Sequence, residues 1–171
     1  ISACLVGSEM CIRDSPTSYN RDNPGTVMIH VCSLAALSDT VKAVGASHVL
    51  TVMANVDQVQ RPVSVLPANH LKVQMDDITE QLDGFVAPSD SHIEQVLNFV
   101  RGWDRSAPLV VHCYAGISRS TASAFAAVCA LNPHRDEISI ARQIRAASPI
   151  ASPNRLIVSL ADKALGREGR M

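Results

Sequence analysis

Five residues separate Cys113 from Arg119 in "HCYAGISRS", and the stretch around them is built for thiol chemistry. The unbroken apolar run "PLVV" leads into His112 and Cys113 and reads as a strand at the centre of a parallel sheet. Thr121 to Leu131 is apolar nearly all round and reads as a buried helix. A strand that stops at Cys113 and a helix that starts near Ser118 leave a tight turn between them. The amides of that turn and of the helix N-terminus have no internal partner and converge into an anion site. Gly116 lets the backbone curl closely, where a Cβ would obstruct it. Arg119 adds a permanently charged fork that matches phosphate oxygens in two contacts. A thiol facing those dipoles and that arginine has a depressed pKa. The chemistry this permits is attack of a thiolate on a phosphoryl group, with a phosphocysteine intermediate. Ser120 is placed to hydrogen-bond the thiolate and help it leave.

Those residues need a scaffold, and the rest of the chain supplies one. Thr26 to Ser33 reads as a buried strand, Leu34 to Gly45 as a helix stopped by Gly45, and His48 to Met53 as a second strand. Residues 54–69 read as an irregular connection, and His70 to Met75 alternates apolar and polar like a strand. A loop, "DDITEQLDGFVAP", separates it from a helix signalled by a Ser91/Glu94 capping box and apolar residues from Ile93 to Trp103. Two more helices close the chain. One is "DEISIARQIRAAS"; the other starts at "SPN", with Ser152 as cap and Pro153 in the first turn. The alternation predicts an α/β fold with a mostly parallel sheet of four to five strands flanked by helices.

The loop resembles the HCxxGxxR(S/T) loop of the cysteine-dependent protein phosphatases. It is most similar to the compact dual-specificity and bacterial tyrosine phosphatases. The resemblance is most specific over "HCYAGISRS" and extends more loosely from Met28 to the end. It implies Cys113 as nucleophile, Arg119 as phosphate-binding arginine and Ser120 as the assisting hydroxyl. Tyr114, Ala115, Gly116, Ile117, Ser118 and Arg119 would form the phosphate cradle, with His112 in a supporting role. The family also takes a general acid from an upstream loop. Asp77 is the choice here, Asp76 a close second, and Asp83 and Asp90 weaker candidates. The loop interior carries no lysine, which leans toward a substrate with one phosphate, such as phosphotyrosine. The partner is then a phosphorylated protein or a small phosphomonoester, with no metal and no cofactor. Two alternatives stand beside this reading. One is a non-catalytic module that binds phosphorylated ligands. The other is a sulfurtransferase or arsenate-reductase type of thiol enzyme, disfavoured by the loop's length and its place along the chain.

Composition sets outer limits. The 171 residues suffice for one domain, and the net charge of −1 offers no basic field for nucleic acid. No apolar run reaches bilayer length, so no membrane partner is expected. Five cysteines (Cys4, Cys11, Cys32, Cys113, Cys129) show no paired spacing, and a reducing cytoplasm is the expectation. Cys32 and Cys129 read as small core residues. Residues 1–27 read as a leader, either disordered or non-native. Within it, 5–15 ("LVGSEMCIRDS") resembles the conceptual translation of a transposase adapter, and the natural chain is expected to start at Met28. The phosphatase-like domain is then 28–171.

Overall fold

The computed structural model describes residues 10–13 and 28–171. Five strands form one sheet in the order β1-β2-β5-β3-β4. The strands are β1 (Met10–Arg13), β2 (Met28–Ser33), β3 (His48–Met53), β4 (His70–Gln74) and β5 (Leu109–Cys113). The last four run parallel, and β1 pairs antiparallel on the outer edge of β2. The expected mostly parallel α/β sheet is the one observed.

β1 falls inside the stretch 1–27 read as a disordered or non-native leader. Its pairing registers Met10 with Val31 and Arg13 with Met28. An edge strand is held through backbone groups, so it needs no alternation of side chains to announce it. The rest of the expected leader lies outside the described residues.

Period-two alternation sends the strand side chains to two faces. On one face Ile29, Val31, Leu50, Val52, Val73, Leu109 and Val111 meet four helices: α2 (Asp90–Gly102), α3 (Arg119–Leu131), α4 (Glu137–Ala147) and α5 (Arg155–Leu165). On the other, Cys32, Val49 and Val110 meet Leu37 and Val41 of α1 (Leu37–Val44). α3 is the central helix, buried at every residue from Ser120 to Cys129, as its apolar sequence predicts. α1 stops where Gly45 takes a left-handed conformation at φ 64°. The irregular 54–69 connection contains two short 3₁₀ turns, Val56–Gln58 and Pro67–Asn69.

Two helix starts differ from the sequence reading. α2 begins two residues earlier than the Ser91/Glu94 box implies, after Ser89, and the Ser89 and Ser91 hydroxyls hydrogen-bond each other at 3.0 Å. With Ser91 inside the first turn, its hydroxyl no longer serves as the cap. α5 is capped by Asn154, whose Oδ1 accepts from the Leu156 and Ile157 amides at 3.0 and 3.1 Å. Ser152 and Pro153 belong instead to an extended strap, tied by the Ser152 amide to the Ile117 carbonyl at 3.0 Å. Among the described residues no helix is long and apolar enough to cross a membrane.

Parallel strands place their C-terminal ends together, and that edge is where an α/β sheet presents its loops. Cys113 ends β5 there, and Asp76 and Asp77 follow β4 at the same edge.

Candidate active site

The turn between β5 and α3 is a chain of bends from Tyr114 to Ser118. Gly116 sits in it at φ 77°, and a Cβ there would lie 2.7 Å from the Cys32 carbonyl carbon and 2.9 Å from the Ser33 nitrogen. Those are backbone atoms of β2 and cannot step aside, so the curl of the loop depends on this glycine. The Tyr114 carbonyl accepts from the Leu34 amide at 3.1 Å, which fixes the loop to the end of β2 from the other side. The Thr121 hydroxyl donates to the Ile117 and Ser118 carbonyls, holding the turn to the helix it opens.

Cys113 lies at the floor of this turn, 2% exposed. Its Sγ is 3.1 Å from the Ser120 hydroxyl and receives the Gly116 amide at 3.2 Å. Burial pushes its pKa up. The Ser120 hydroxyl and the amides of Ser120, Gly116 and Ile117 outweigh that and hold the thiol below its ordinary value of 9.0. Cys129 shows what burial does without such donors: its thiol is pushed up to about 12. Cys32 pairs in register with His112, not Cys113, so it belongs to the opposite face of the sheet. That removes it as a disulfide partner of Cys113.

Arg119 is the first residue of α3. Its Nη1 donates to the Met75 carbonyl at 2.9 Å, at the end of β4. Its buried Nε has no hydrogen-bond partner among the described residues and lies 4.0 Å from Asp77 Oδ2. A buried guanidinium donor left open beside the cradle is a site for an anion's oxygen.

The two adjacent aspartates have different surroundings. Asp76 closes its own loop: its amide donates to the Val86 carbonyl at 2.7 Å and its Oδ2 accepts from the Val86 amide at 2.8 Å. Asp77 faces the cradle, and its Oδ1 accepts from the Ser118 hydroxyl at 2.7 Å and from Asn154 Nδ2 at 2.8 Å. Asp83 is exposed at the loop's tip. Asp90 pairs with Lys163 at 3.3 Å on the surface. Of the four carboxylates, Asp77 is the one brought to Ser118 and Arg119.

Asn154 serves both α5 and the cradle. Its carbonyl caps α5 while its amide holds Asp77 and reaches the Ile78 carbonyl at 3.2 Å. Tyr114 and Ala115 are exposed on the rim, Tyr114 to 70%.

His112 sits beneath the loop, fully buried. Its Nδ1 is 3.3 Å from the Cys113 carbonyl, which only accepts, so this nitrogen carries the proton. Burial pushes the ring's pKa down to about 4, so it is neutral and Nε2 is bare. Nε2 lies 2.7 Å from the Thr51 hydroxyl and therefore accepts from it. Thr51 Oγ1 in turn lies 2.8 Å from His70 Nε2, which must donate. A directed line thus runs from His70 through Thr51 and His112 to the Cys113 carbonyl. The sequence reading gave His112 a supporting place but missed Thr51 and His70. They come from two other strands, and no local pattern joins them.

The protein-tyrosine phosphatase family model matches residues 46–149. Similar solved folds include human DUSP28, with a TM-score of 0.62 and 18% identity over 92% of this chain and 94% of that one. The human tyrosine phosphatase-like serine/threonine/tyrosine-interacting protein gives 0.64 and 16%, over 85% and 94%. The Cydia pomonella PTP-2 phosphatase gives 0.62 and 19%, over 79% and 84%. At these identities the likeness is one of fold. A search of curated protein sequences finds no match.

Proposed function

The chain belongs to the protein-tyrosine phosphatase family, and from that premise we propose that it hydrolyses phosphomonoesters through a phosphocysteine on Cys113, with phosphotyrosine as the substrate class. The observation that carries this reading is the thiol itself. It is buried under a hydroxyl and three amides that favour its anion, beside an arginine with an open donor.

In the first step the Cys113 thiolate attacks phosphorus, the S–P bond forms and the P–O bond to the leaving group breaks. The loop amides and Arg119 hold the three equatorial oxygens, where charge spreads in the transition state. Asp77, in its acid form, gives its proton to the leaving oxygen. In the second step water attacks phosphorus, Asp77 takes the water's proton, and the S–P bond breaks. The Ser120 hydroxyl donates to the departing thiolate. A cradle without lysine suits a single phosphate, and the exposed Tyr114 ring offers an aromatic face at its rim.

The test is hydrolysis of para-nitrophenyl phosphate by the full chain, with vanadate and with EDTA, beside Cys113→Ser. Turnover should vanish in the variant, be blocked by vanadate and survive EDTA. Asp77→Asn should lower kcat by about 100-fold or more, and Asp76→Asn far less. Vanadate binding to folded protein without turnover would replace the enzyme by a module that binds phosphorylated ligands. Phosphotyrosine against phosphoserine peptides then tests the substrate class.

A further inference from the structure

The strap that carries Asn154 has two faces. Ser152 and Asn154 turn to the catalytic loop, through Ile117, Ser118 and Asp77. The alternate residues Ala151, Pro153 and Arg155 line a groove of about 740 Å³ between α4, α5 and the C-terminal residues. That volume is the size of a small-molecule site. Its floor is apolar, made by Phe125, Ile144 and Val158, and Ile138 extends it at the edge, 57% exposed.

The charges around this floor are unbalanced. Arg142, Arg145 and Arg155 line it, and among the described residues no carboxylate pairs with any of them. Arg145 donates only to the Pro149 carbonyl, at 2.6 Å. The acids bordering the groove are already engaged. Glu137 takes Arg167 at 2.6 Å and Arg170 at 3.4 Å. Asp162 accepts the Gly169 and Met171 amides at 2.7 and 3.0 Å. An apolar floor with three guanidiniums at its rim that no carboxylate neutralises suits a molecule with an acidic head and an apolar body.

We propose that this groove is a second binding site, for a small anionic amphiphile such as a medium-chain carboxylate, and that its occupancy is felt at Cys113 through the 151–155 strap. The head sits on the arginines and the chain lies against Phe125, Ile144 and Val158. A ligand wedged behind Ala151 and Pro153 pushes on the segment that holds the Ile117 carbonyl and Asp77. Any such coupling runs both ways.

The probe is decanoate, below its micelle concentration, titrated into the full chain carrying Cys113→Ser and followed by calorimetry. This readout needs no turnover, so it stands or falls apart from the hydrolysis reading. Binding should be saturable and one to one. It should weaken about tenfold in Arg142→Ala/Arg145→Ala, which keeps the apolar floor, and in Ala141→Trp, which fills the groove from an exposed position. In the chain with its thiol, saturating decanoate should change the rate of Cys113 alkylation by iodoacetamide about fivefold, and not in Ala141→Trp. Absence of saturable binding, or equal binding by all variants, would overturn the site. An alkylation effect that persists in Ala141→Trp would place decanoate in the cradle and overturn it as well. Groove binding with no change in alkylation would overturn the coupling.

Discussion

Replacing Asn154 separates two jobs that one side chain performs. Its Oδ1 accepts the Leu156 and Ile157 amides, and its Nδ2 donates to Asp77 and the Ile78 carbonyl. Losing the cap costs about 1 kcal/mol, and losing two donor bonds from a buried site costs about 2 more. Asn154→Ala should therefore lose roughly 3 kcal/mol, or roughly 6–12 °C in Tm for a chain of this size. It also frees Asp77 to leave the cradle, so kcat should fall by about tenfold while the Cys113 thiol keeps its reactivity. Asn154→Asp divides the effects. Its carboxylate still accepts the two helix amides and suits the N-terminal dipole of α5, so the cap survives. It cannot donate to Asp77 and sets a like charge about 3 Å from it, so kcat should fall at least as far as in the alanine variant. Thermal unfolding and para-nitrophenyl phosphate kinetics on both variants make the comparison. The reasoning is refuted if the two variants lose stability equally, or if either keeps the wild-type kcat.

Three more outcomes are expected. Ser120→Ala removes the hydroxyl 3.1 Å from the thiol, and the midpoint of the iodoacetamide alkylation profile should move up by about one pH unit; an unmoved midpoint would mean that the amides alone hold the anion. Arg167 is buried, binds Glu137 and donates to the Cys129 and Asn132 carbonyls at the end of α3, so Arg167→Met should cost about 2–3 kcal/mol in urea unfolding, from two carbonyls left without their donor, while Glu137 keeps Arg170 at 3.4 Å. His112 has a folded pKa of about 4 against 6.5 in an ordinary setting, so below pH 6.5 the unfolded chain takes up a proton that the folded chain refuses. The about 3 kcal/mol this contributes is present above pH 6.5 and lost as pH falls toward 4, and urea midpoints should show a shallower fall over that window in His112→Asn.

How much of the site could be read from sequence follows from how local each part is. Nine consecutive residues hold the cradle, and the strand before and helix after them are signalled by composition, so Cys113, Gly116, Arg119 and Ser120 were legible together. Asp77 was legible because it follows a strand whose end must lie at the same edge. Asn154 stands 77 residues beyond Asp77, and only the packing of α5 beside α3 brings them to 2.8 Å. The His70–Thr51–His112 line crosses β4, β3 and β5, and it exists because β3 is inserted between the other two. Strand order of that kind leaves no trace in periodicity. The helix starts at 89 and 154 were misplaced for a related reason. Capping residues stand within two positions of each other at both places, and tertiary contacts choose between them.

The two buried thiols show what the fold adds to the motif. Cys113 and Cys129 are both interior, and burial alone drives a thiol upward, as Cys129 shows. Cys129 lies within α3, where amide groups are spent on helix bonds and none is left to meet a sulfur anion. Cys113 faces the start of the same helix, where they are not. What separates a thiol held neutral from one whose anion is favoured is thus the place at which α3 begins. That place is set by a turn tight enough to bring the Gly116, Ile117 and Ser120 amides round one sulfur. The turn in turn requires Gly116 to press against the Cys32–Ser33 backbone at a positive φ. The lowered pKa of Cys113 therefore rests on the packing of the Tyr114–Ser118 turn against the backbone of β2.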